Sequence, residues 1–285
     1  MNNSWVLITG ASRGLGAHLA KAFWDAGWNI ALVARGYEDL CRLTDGLTSH
    51  VDQESILFPC DLSNSEAVSA LVKDLCEKLP RLDVLINNAA IHGPIGPLVT
   101  NHLSAWNEVV QVNLLSPVAL CHGLSNLISN SGGGSIINLS GGGATAPRAN
   151  FTAYASAKTA LVRFSETLAE ELLPQNIRVN CVAPGAMKTA LLEEVVSSGA
   201  NSSGKREFEI AEKVIAEGGA SMDKVADLAL FLASSASIGI TGKLISAVWD
   251  NWSEWPSHLE ELSKSDAYTL RRIAGRDRGF TWGDK

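Results

Sequence analysis

The 285-residue sequence lacks several features that mark particular classes of protein. It has no block of Lys or Arg, and its formal net charge is −7, so nothing in its charge favours a nucleic acid or an anionic membrane as partner. Its five cysteines form no Cys-x-x-Cys pair, and its histidines have no metal-ligand spacing. We therefore expect no disulfide framework, no bound metal and a small-molecule partner.

The sequence also lacks a basic and then apolar leader, an apolar run of about 18 residues, and a Pro/Gly/Ser-rich linker in its first 250 residues. These absences favour a cytoplasmic protein with one domain over residues 1–249. Residues 250–285 contain a Trp-rich stretch and short helical patterns near 257–263 and 266–273. We expect them to form a C-terminal extension that packs on the domain or on a neighbouring subunit.

Seven apolar runs of strand length recur along the domain, and each is continuous, which is typical of strands buried on both faces of a sheet. Amphipathic stretches of helical length lie between them. The alternation predicts an α/β fold, a single-domain Rossmann-like, doubly wound parallel sheet of about seven strands with helices on both faces. The predicted strands are 5–9, 29–34, 55–59, 82–87, 135–140, 177–183 and 243–248, and the predicted helices are 14–27, 64–79, 104–129, 154–173 and 222–233. The polar segment 197–207 is expected to be a mobile loop near the site.

A glycine-rich turn, "TGASRGLG", lies between the first predicted strand and the first predicted helix. Gly10, Gly14 and Gly16 would let the backbone approach a pyrophosphate, whose charge the helix N-terminus favours. Arg35 stands at the end of the second strand, where an acidic residue would bind an adenosine ribose. Together with Arg13, it favours NADP(H) over NAD(H), although both could be solvated surface residues.

Polar residues follow the third and fourth strands, as ligand-binding residues do at the carboxyl ends of an open α/β sheet. Asp61 follows the third strand, and Asn87 and Asn88 end the fourth. Each could instead serve a turn or a helix cap.

Tyr154 and Lys158 are four residues apart and lie on one face of a predicted helix. An ammonium beside a phenol favours the phenolate, so the pair suits proton transfer near neutral pH. A Tyr–Lys pair on a helix surface is the alternative.

The motifs "TGASRGLG", "NNAA", "VVQVNLLSP", "YASAK" and "NCVAPGAMKT", in this order over residues 5 to about 249, resemble the classical short-chain dehydrogenase/reductase family. The resemblance implies that Tyr154 protonates a carbonyl oxygen during reduction, that Lys158 also holds the nicotinamide ribose, and that Asn113 supports a water-linked proton relay. It also implies nicotinamide and pyrophosphate contacts after the sixth strand. The expected cofactor-binding residues are Gly10, Ser12, Arg13, Gly14, Leu15, Gly16, Arg35, Asp61, Leu62, Asn88, Ala89, Tyr154, Lys158, Pro184, Gly185 and Thr189.

The serine that polarises the substrate carbonyl in this family commonly stands thirteen positions before the tyrosine. That position here is Gly141, and Ser140 is one residue earlier. We predict that Ser140 takes the role through a bend in the following glycines, with Thr145 or a backbone N–H group as the alternative.

These residues predict hydride transfer between NADP(H) and a carbonyl/alcohol pair, with reduction as the expected direction. A catalytically weakened NADP(H)-binding sensor or assembly subunit and a sugar-nucleotide-modifying relative are the alternatives. The resemblance implies a homodimer or homotetramer formed through the helices near 104–129 and 154–173.

Overall fold

The fold is built on the single parallel sheet that the sequence predicts. The computed structural model describes residues 4–48 and 52–282. Within them, seven parallel strands form one sheet in the order β3-β2-β1-β4-β5-β6-β7. The strands are β1 (Trp5–Thr9), β2 (Asn29–Ala34), β3 (Ser55–Pro59), β4 (Val84–Asn87), β5 (Gly134–Leu139), β6 (Ile177–Ala183) and β7 (Leu244–Ser246). The chain reverses direction across the sheet between β1 and β4, which opens a crevice at their carboxyl ends. The predicted fold class is confirmed.

Helices cover both faces of the sheet. They are α1 (Gly14–Asp25), α2 (Tyr37–Asp45), α3 (Ser65–Lys78), α4 (Leu103–Val110), α5 (Ser116–Asn130), α6 (Thr152–Leu172), α7 (Ala190–Ser203), α8 (Lys205–Glu217), α9 (Met222–Ala233) and α10 (Leu259–Lys264). One turn of π-helix, Gln111–Leu115, joins α4 to α5. A π-turn inside an α-helix is often found at a functional site.

Strand β1 explains why its apolar run is continuous. Successive side chains of a strand point to opposite faces. Val6 and Ile8 belong to the core under α1 and α9, whereas Trp5 and Leu7 belong to the core under α3 and α5. Both faces are therefore buried, and the strand has no position for a polar side chain facing water.

The segment 197–207 is not a loop, so that prediction is wrong. It forms the end of α7 and the start of α8, which meet at Gly204 with φ of +87°. Val195 of α7 and Ala211 of α8 are buried in a cluster with Phe151 and Tyr154. This packing stabilises helices that the polar, Gly-rich sequence does not predict.

The C-terminal segment packs on its own chain. The Trp255 ring lies against that of Tyr268, with centroids 4.4 Å apart. The N–H group of Leu244 in β7 donates to the Tyr268 carbonyl at 2.8 Å, and the N–H group of Leu270 donates to a Glu166 carboxylate oxygen at 2.6 Å. Residues 266–273, predicted to be helical, instead form an extended and turning segment beside β7.

The continuous helix Leu103–Asn130 has a mean hydropathy of 1.2 over its most apolar window. Among the described residues, it alone is long and apolar enough to cross a membrane by length and composition. It packs against α3 and α6, and 44% of that window is buried. A core helix meets the same criterion, so this is weak evidence for a membrane span.

Candidate active site

A cleft of about 810 Å³ opens at the carboxyl ends of the central strands. Its volume is in the range of cofactor and ligand sites. All the predicted site residues line it except Asn113 and Gly185. The topology therefore brings residues from distant parts of the sequence to one place.

The glycine-rich turn after β1 is packed too closely for side chains. A Cβ atom at Gly16 would lie 2.1 Å from the Gly10 carbonyl oxygen and 2.6 Å from the Asn88 amide nitrogen. Gly10 also has φ of +65°, which favours glycine. The first turn of α1 has no acidic residue, so its N-terminus suits an anion.

Arg13, in the turn after β1, and Arg35, after β2, are both exposed and line the cleft. Asp61 lies nearby, and its pKa is lowered mainly by hydrogen bonds from the backbone and hydroxyl of Ser63, with a smaller effect of the Arg35 charge. These bonds measure 3.0 and 2.9 Å. The Asp61 carboxylate thus stabilises its own turn as well as lining the cleft.

Asn88 joins β1 to β4 at the crevice. Its amide donates to the Thr9 carbonyl at 2.9 Å, and the Thr9 hydroxyl accepts from the N–H groups of Asn88 and Ala89 at 3.0 and 3.1 Å. Asn87 is buried and donates to Asn138 of β5 at 2.8 Å, so it supports the sheet rather than lining the cleft.

Tyr154 and Lys158 lie in the first turns of α6 and are both buried. The Lys158 ammonium is 5.8 Å from the Tyr154 ring centroid and donates to the Leu139 carbonyl at 2.7 Å. Burial lowers the pKa of Lys158 to about 8 and raises the pKa of Tyr154 to about 12. The positive charge of Arg148 acts in the opposite direction to burial and lowers the pKa of Tyr154.

Ser140 follows β5 and lines the cleft together with Tyr154. Its side chain is 4% exposed, and its hydroxyl oxygen has no hydrogen-bond partner in the protein. The backbone of Gly141 lies directly against the Tyr154 hydroxyl, because a Cβ atom there would be 2.2 Å from that oxygen. Thr145, the alternative hydroxyl, is exposed and does not line the cleft.

Asn113 lies in the π-turn and is fully buried. Its amide oxygen accepts from the Ile91 N–H group at 3.0 Å, and its amide nitrogen donates to the Ile91 carbonyl at 2.8 Å. The side chain therefore holds the segment after β4 in place. Gly185, with φ of +81°, is exposed after β6, and a Cβ atom there would lie 2.9 Å from the Ala220 Cβ and 3.0 Å from a Val248 methyl carbon.

Sequence reasoning missed two charged or titratable residues next to Tyr154. The His92 ring lies edge-on to the Tyr154 ring at 4.8 Å, and the Arg148 guanidinium carbon is 5.7 Å from the same centroid. His92 follows β4 closely, so the rule that selected Asn88 could have found it. No spacing signal marks Arg148. The described residues contain no cluster that could hold a metal ion.

Residues 10–247 match the model of a protein family described as enoyl-(acyl carrier protein) reductase. The chain is 32% identical over 243 residues to the short chain dehydrogenase/reductase astE of Aspergillus oryzae, which covers 84% of this chain and 91% of that protein. It is 31% identical to the 3-oxoacyl-[acyl-carrier-protein] reductase FabG of Chlamydia trachomatis, over 86% of this chain and 95% of that protein. A similar solved structure is YwfH, an NADPH-dependent reductase involved in bacilysin biosynthesis, with a TM-score of 0.77, 26% identity and coverage of 88% of this chain and 98% of that one.

Proposed function

The chain belongs to the classical short-chain dehydrogenase/reductase family, and we propose that it is an NADP(H)-dependent oxidoreductase acting on a carbonyl/alcohol substrate. The observation that carries this proposal is the buried pair of Tyr154 and Lys158 in the same cleft as the glycine-rich turn. A proton-transfer group and a phosphate-binding turn in one cleft are what hydride transfer from a dinucleotide requires.

The residues of the cleft fit a dinucleotide. An added Cβ atom at Gly16 would collide with Gly10 and Asn88, so the turn packs as closely on the start of α1 as the third glycine of a dinucleotide-binding turn requires. Arg13 and Arg35 would bind a 2′-phosphate, which supports NADP(H) over NAD(H). The proposed contacts run from the adenosine end to the nicotinamide end: Asp61 and Leu62; Gly10, Ser12, Gly14, Leu15 and Gly16; Asn88 and Ala89; Tyr154 and Lys158; Pro184, Gly185 and Thr189.

When bound, the cofactor supplies the hydride, and the chain's own residues manage the proton. Because burial raises the pKa of Tyr154 to about 12, its hydroxyl is protonated at neutral pH and can donate to a carbonyl oxygen. Oxidation would use the phenolate instead; we expect reduction as the working direction because the proposed cofactor is NADPH. The unpartnered Ser140 hydroxyl would donate a second hydrogen bond to the same oxygen.

The cofactor proposal is tested by titrating the protein with NADPH and NADH and following cofactor fluorescence. We expect tighter binding of NADPH. Equal or tighter binding of NADH would contradict the NADP(H) assignment.

Turnover is then measured as NADPH oxidation with ketones, aldehydes, diketones and keto-sugars. A 3-oxoacyl thioester belongs in the panel because a similar protein is a 3-oxoacyl reductase. Tyr154→Phe should abolish turnover, whereas Tyr268→Phe, the matched control in the C-terminal segment, should retain it. Tight NADPH binding without turnover on any carbonyl would favour the cofactor-binding sensor over the reductase.

A homodimer or homotetramer in the cytoplasm is part of the proposal. Leu103 of α4 and Leu115 of the π-turn expose large parts of their side chains on the helices expected to pair. Light scattering of the purified protein tests the assembly, and a monomer at micromolar concentration would contradict it.

A further inference from the structure

Arg148 faces Tyr154 from outside α6, and the proposed reaction gives it no role. It lies in the loop between β5 and α6, and its guanidinium carbon is 3.8 Å from the Phe151 ring centroid and 5.7 Å from that of Tyr154. Its side chain is only 13% exposed. A guanidinium stays charged at any pH the protein will meet, so this is a permanent positive charge beside a phenol.

Arg148 forms an ion pair with Glu207 of helix α8. Its Nε–H group donates to a carboxylate oxygen of Glu207 in α8 at 2.8 Å. The Arg148 side chain also begins close to the backbone of Gly143, because a Cβ atom added at Gly143 would lie 3.2 Å from the Arg148 Cβ. The guanidinium is therefore fixed in position, and Glu207 offsets part of its charge.

Lys158 and His92 are two other titratable groups close to Tyr154. Lys158, on the same helix, donates to the Leu139 carbonyl and belongs to the proposed machinery. Burial lowers the pKa of His92, which is therefore neutral at neutral pH, and Glu194 of α7 faces its ring at 3.6 Å. Val195 of α7 and Ala211 of α8 belong to the same buried apolar cluster as Tyr154.

We infer that Arg148 is a positioning residue for proton transfer: its charge stabilises the phenolate left when Tyr154 gives up its proton, and Glu207 limits that effect. The inference rests on the proposed function and adds a residue to it. The guanidinium carbon is 5.7 Å from the Tyr154 ring centroid, and an opposite charge this close to an ionisable group favours its ionised form, most strongly where water is excluded. Arg148 is also the charge that lowers the Tyr154 pKa against burial. Because Glu207 belongs to α8, the position of α8 would control the acidity of Tyr154.

The test compares variants that should change the phenolate fraction of Tyr154 in opposite directions. Arg148→Met removes the charge and the ion pair, so the phenolate fraction of Tyr154 at a given pH should fall about tenfold. Glu207→Gln removes only the opposing charge, so the phenolate fraction should rise. Arg148→Lys keeps a positive charge and should restore most of the wild-type fraction.

The phenolate fraction is read by NMR on the full chain labelled with [13Cζ]tyrosine, with NADP+ present. The chain has three tyrosines, and Tyr154→Phe identifies the resonance. Because a phenol with a pKa of about 12 is only about 1% ionised at pH 10, the Cζ shift is followed to the highest pH at which the chain stays folded. Circular dichroism at each pH verifies that every variant is folded.

Opposite shifts in Arg148→Met and Glu207→Gln would support the inference. Shifts in the same direction would mean that the ion pair only holds the loop, and no shift in either would mean that Tyr154 does not sense Arg148; both results overturn it. Since the spectra need no substrate, they are independent of whether a carbonyl is reduced. If turnover is found, the alkaline limb of the pH–rate profile should move in the same order.

Discussion

Replacing Gly141 with alanine would put a methyl group where the Tyr154 hydroxyl lies. The added Cβ atom would be 2.2 Å from the hydroxyl oxygen, 3.0 Å from Cζ and 3.1 Å from Cε1, whereas ordinary van der Waals contact begins at 3.4 Å. The ring cannot simply turn away, because Tyr154 is 5% exposed and packs edge-on against His92 and close to Phe151. The loop or the ring must therefore shift by about 1 Å.

A displacement of this size has a predictable cost. Misplacing a reacting group by about 1 Å lowers the rate about 100-fold, so we expect a fall of that order in kcat. Overpacking of a buried site also lowers the free energy of unfolding by about 1–3 kcal/mol. The dissociation constant for NADPH should change little, because Gly141 is not among the residues that line the cleft.

The neighbouring glycine provides a matched control. A Cβ atom at Gly142 would come no closer than 3.8 Å to any atom, and its backbone does not require glycine. Gly142→Ala should therefore keep the kcat and the stability of the wild type. The assays are steady-state NADPH oxidation and urea unfolding. If Gly141→Ala were as active and as stable as Gly142→Ala, the close approach of the loop to Tyr154 would be refuted.

Three further substitutions and one pH dependence test other parts of the structure. Ser140→Ala should lower kcat about 100- to 1,000-fold yet leave urea unfolding nearly unchanged, because its hydroxyl has no protein partner to lose. Arg35→Ala should weaken NADPH binding about 10- to 100-fold in a fluorescence titration and NADH binding hardly at all, with exposed Arg42→Ala as the unaffected control. Burial lowers the folded-state pKa of Lys158 from 10.5 to about 8, so the unfolded chain binds more protons between these values. The free energy of unfolding of the wild type, taken relative to that of the Lys158→Met variant at each pH, should therefore rise by about 2 kcal/mol from pH 8 to 10. Lys243→Met would remove an ammonium that donates to three carbonyls of the C-terminal segment. The packing of this segment on the domain should weaken by about 2 kcal/mol, so limited trypsin digestion should cut the segment faster than in the wild type.

The strands of the sheet were predictable because burial on both faces leaves a continuous apolar signal. All six residues of β2 are buried, and its bounds agree with the apolar run. Strand β7 has only three residues at the edge of the sheet, and its predicted length was too great. Helices α7 and α8 were missed because Gly199 is non-helical within α7, Gly204 separates the two helices, and both pack against Phe151 and Tyr154, which are distant in the sequence.

The cleft was predictable for a similar reason, since parallel strands bring their carboxyl ends to one edge. Residues that directly follow a strand, such as Asn88 and Ser140, were therefore identifiable one by one. Arg148 was not, because its place beside Tyr154 depends on the course of a glycine-rich loop and on Glu207 from α8. Local spacing carries no information about such a contact.

The offset of one residue between Gly141 and the expected serine has a physical cause in this fold. The backbone passes so close to the Tyr154 hydroxyl that any side chain at 141 would collide with it. A serine at that position would displace the group it is meant to assist. The neighbouring Ser140 is buried in the cleft wall without a protein partner for its hydroxyl, which supports our proposal that Ser140 donates to a substrate oxygen.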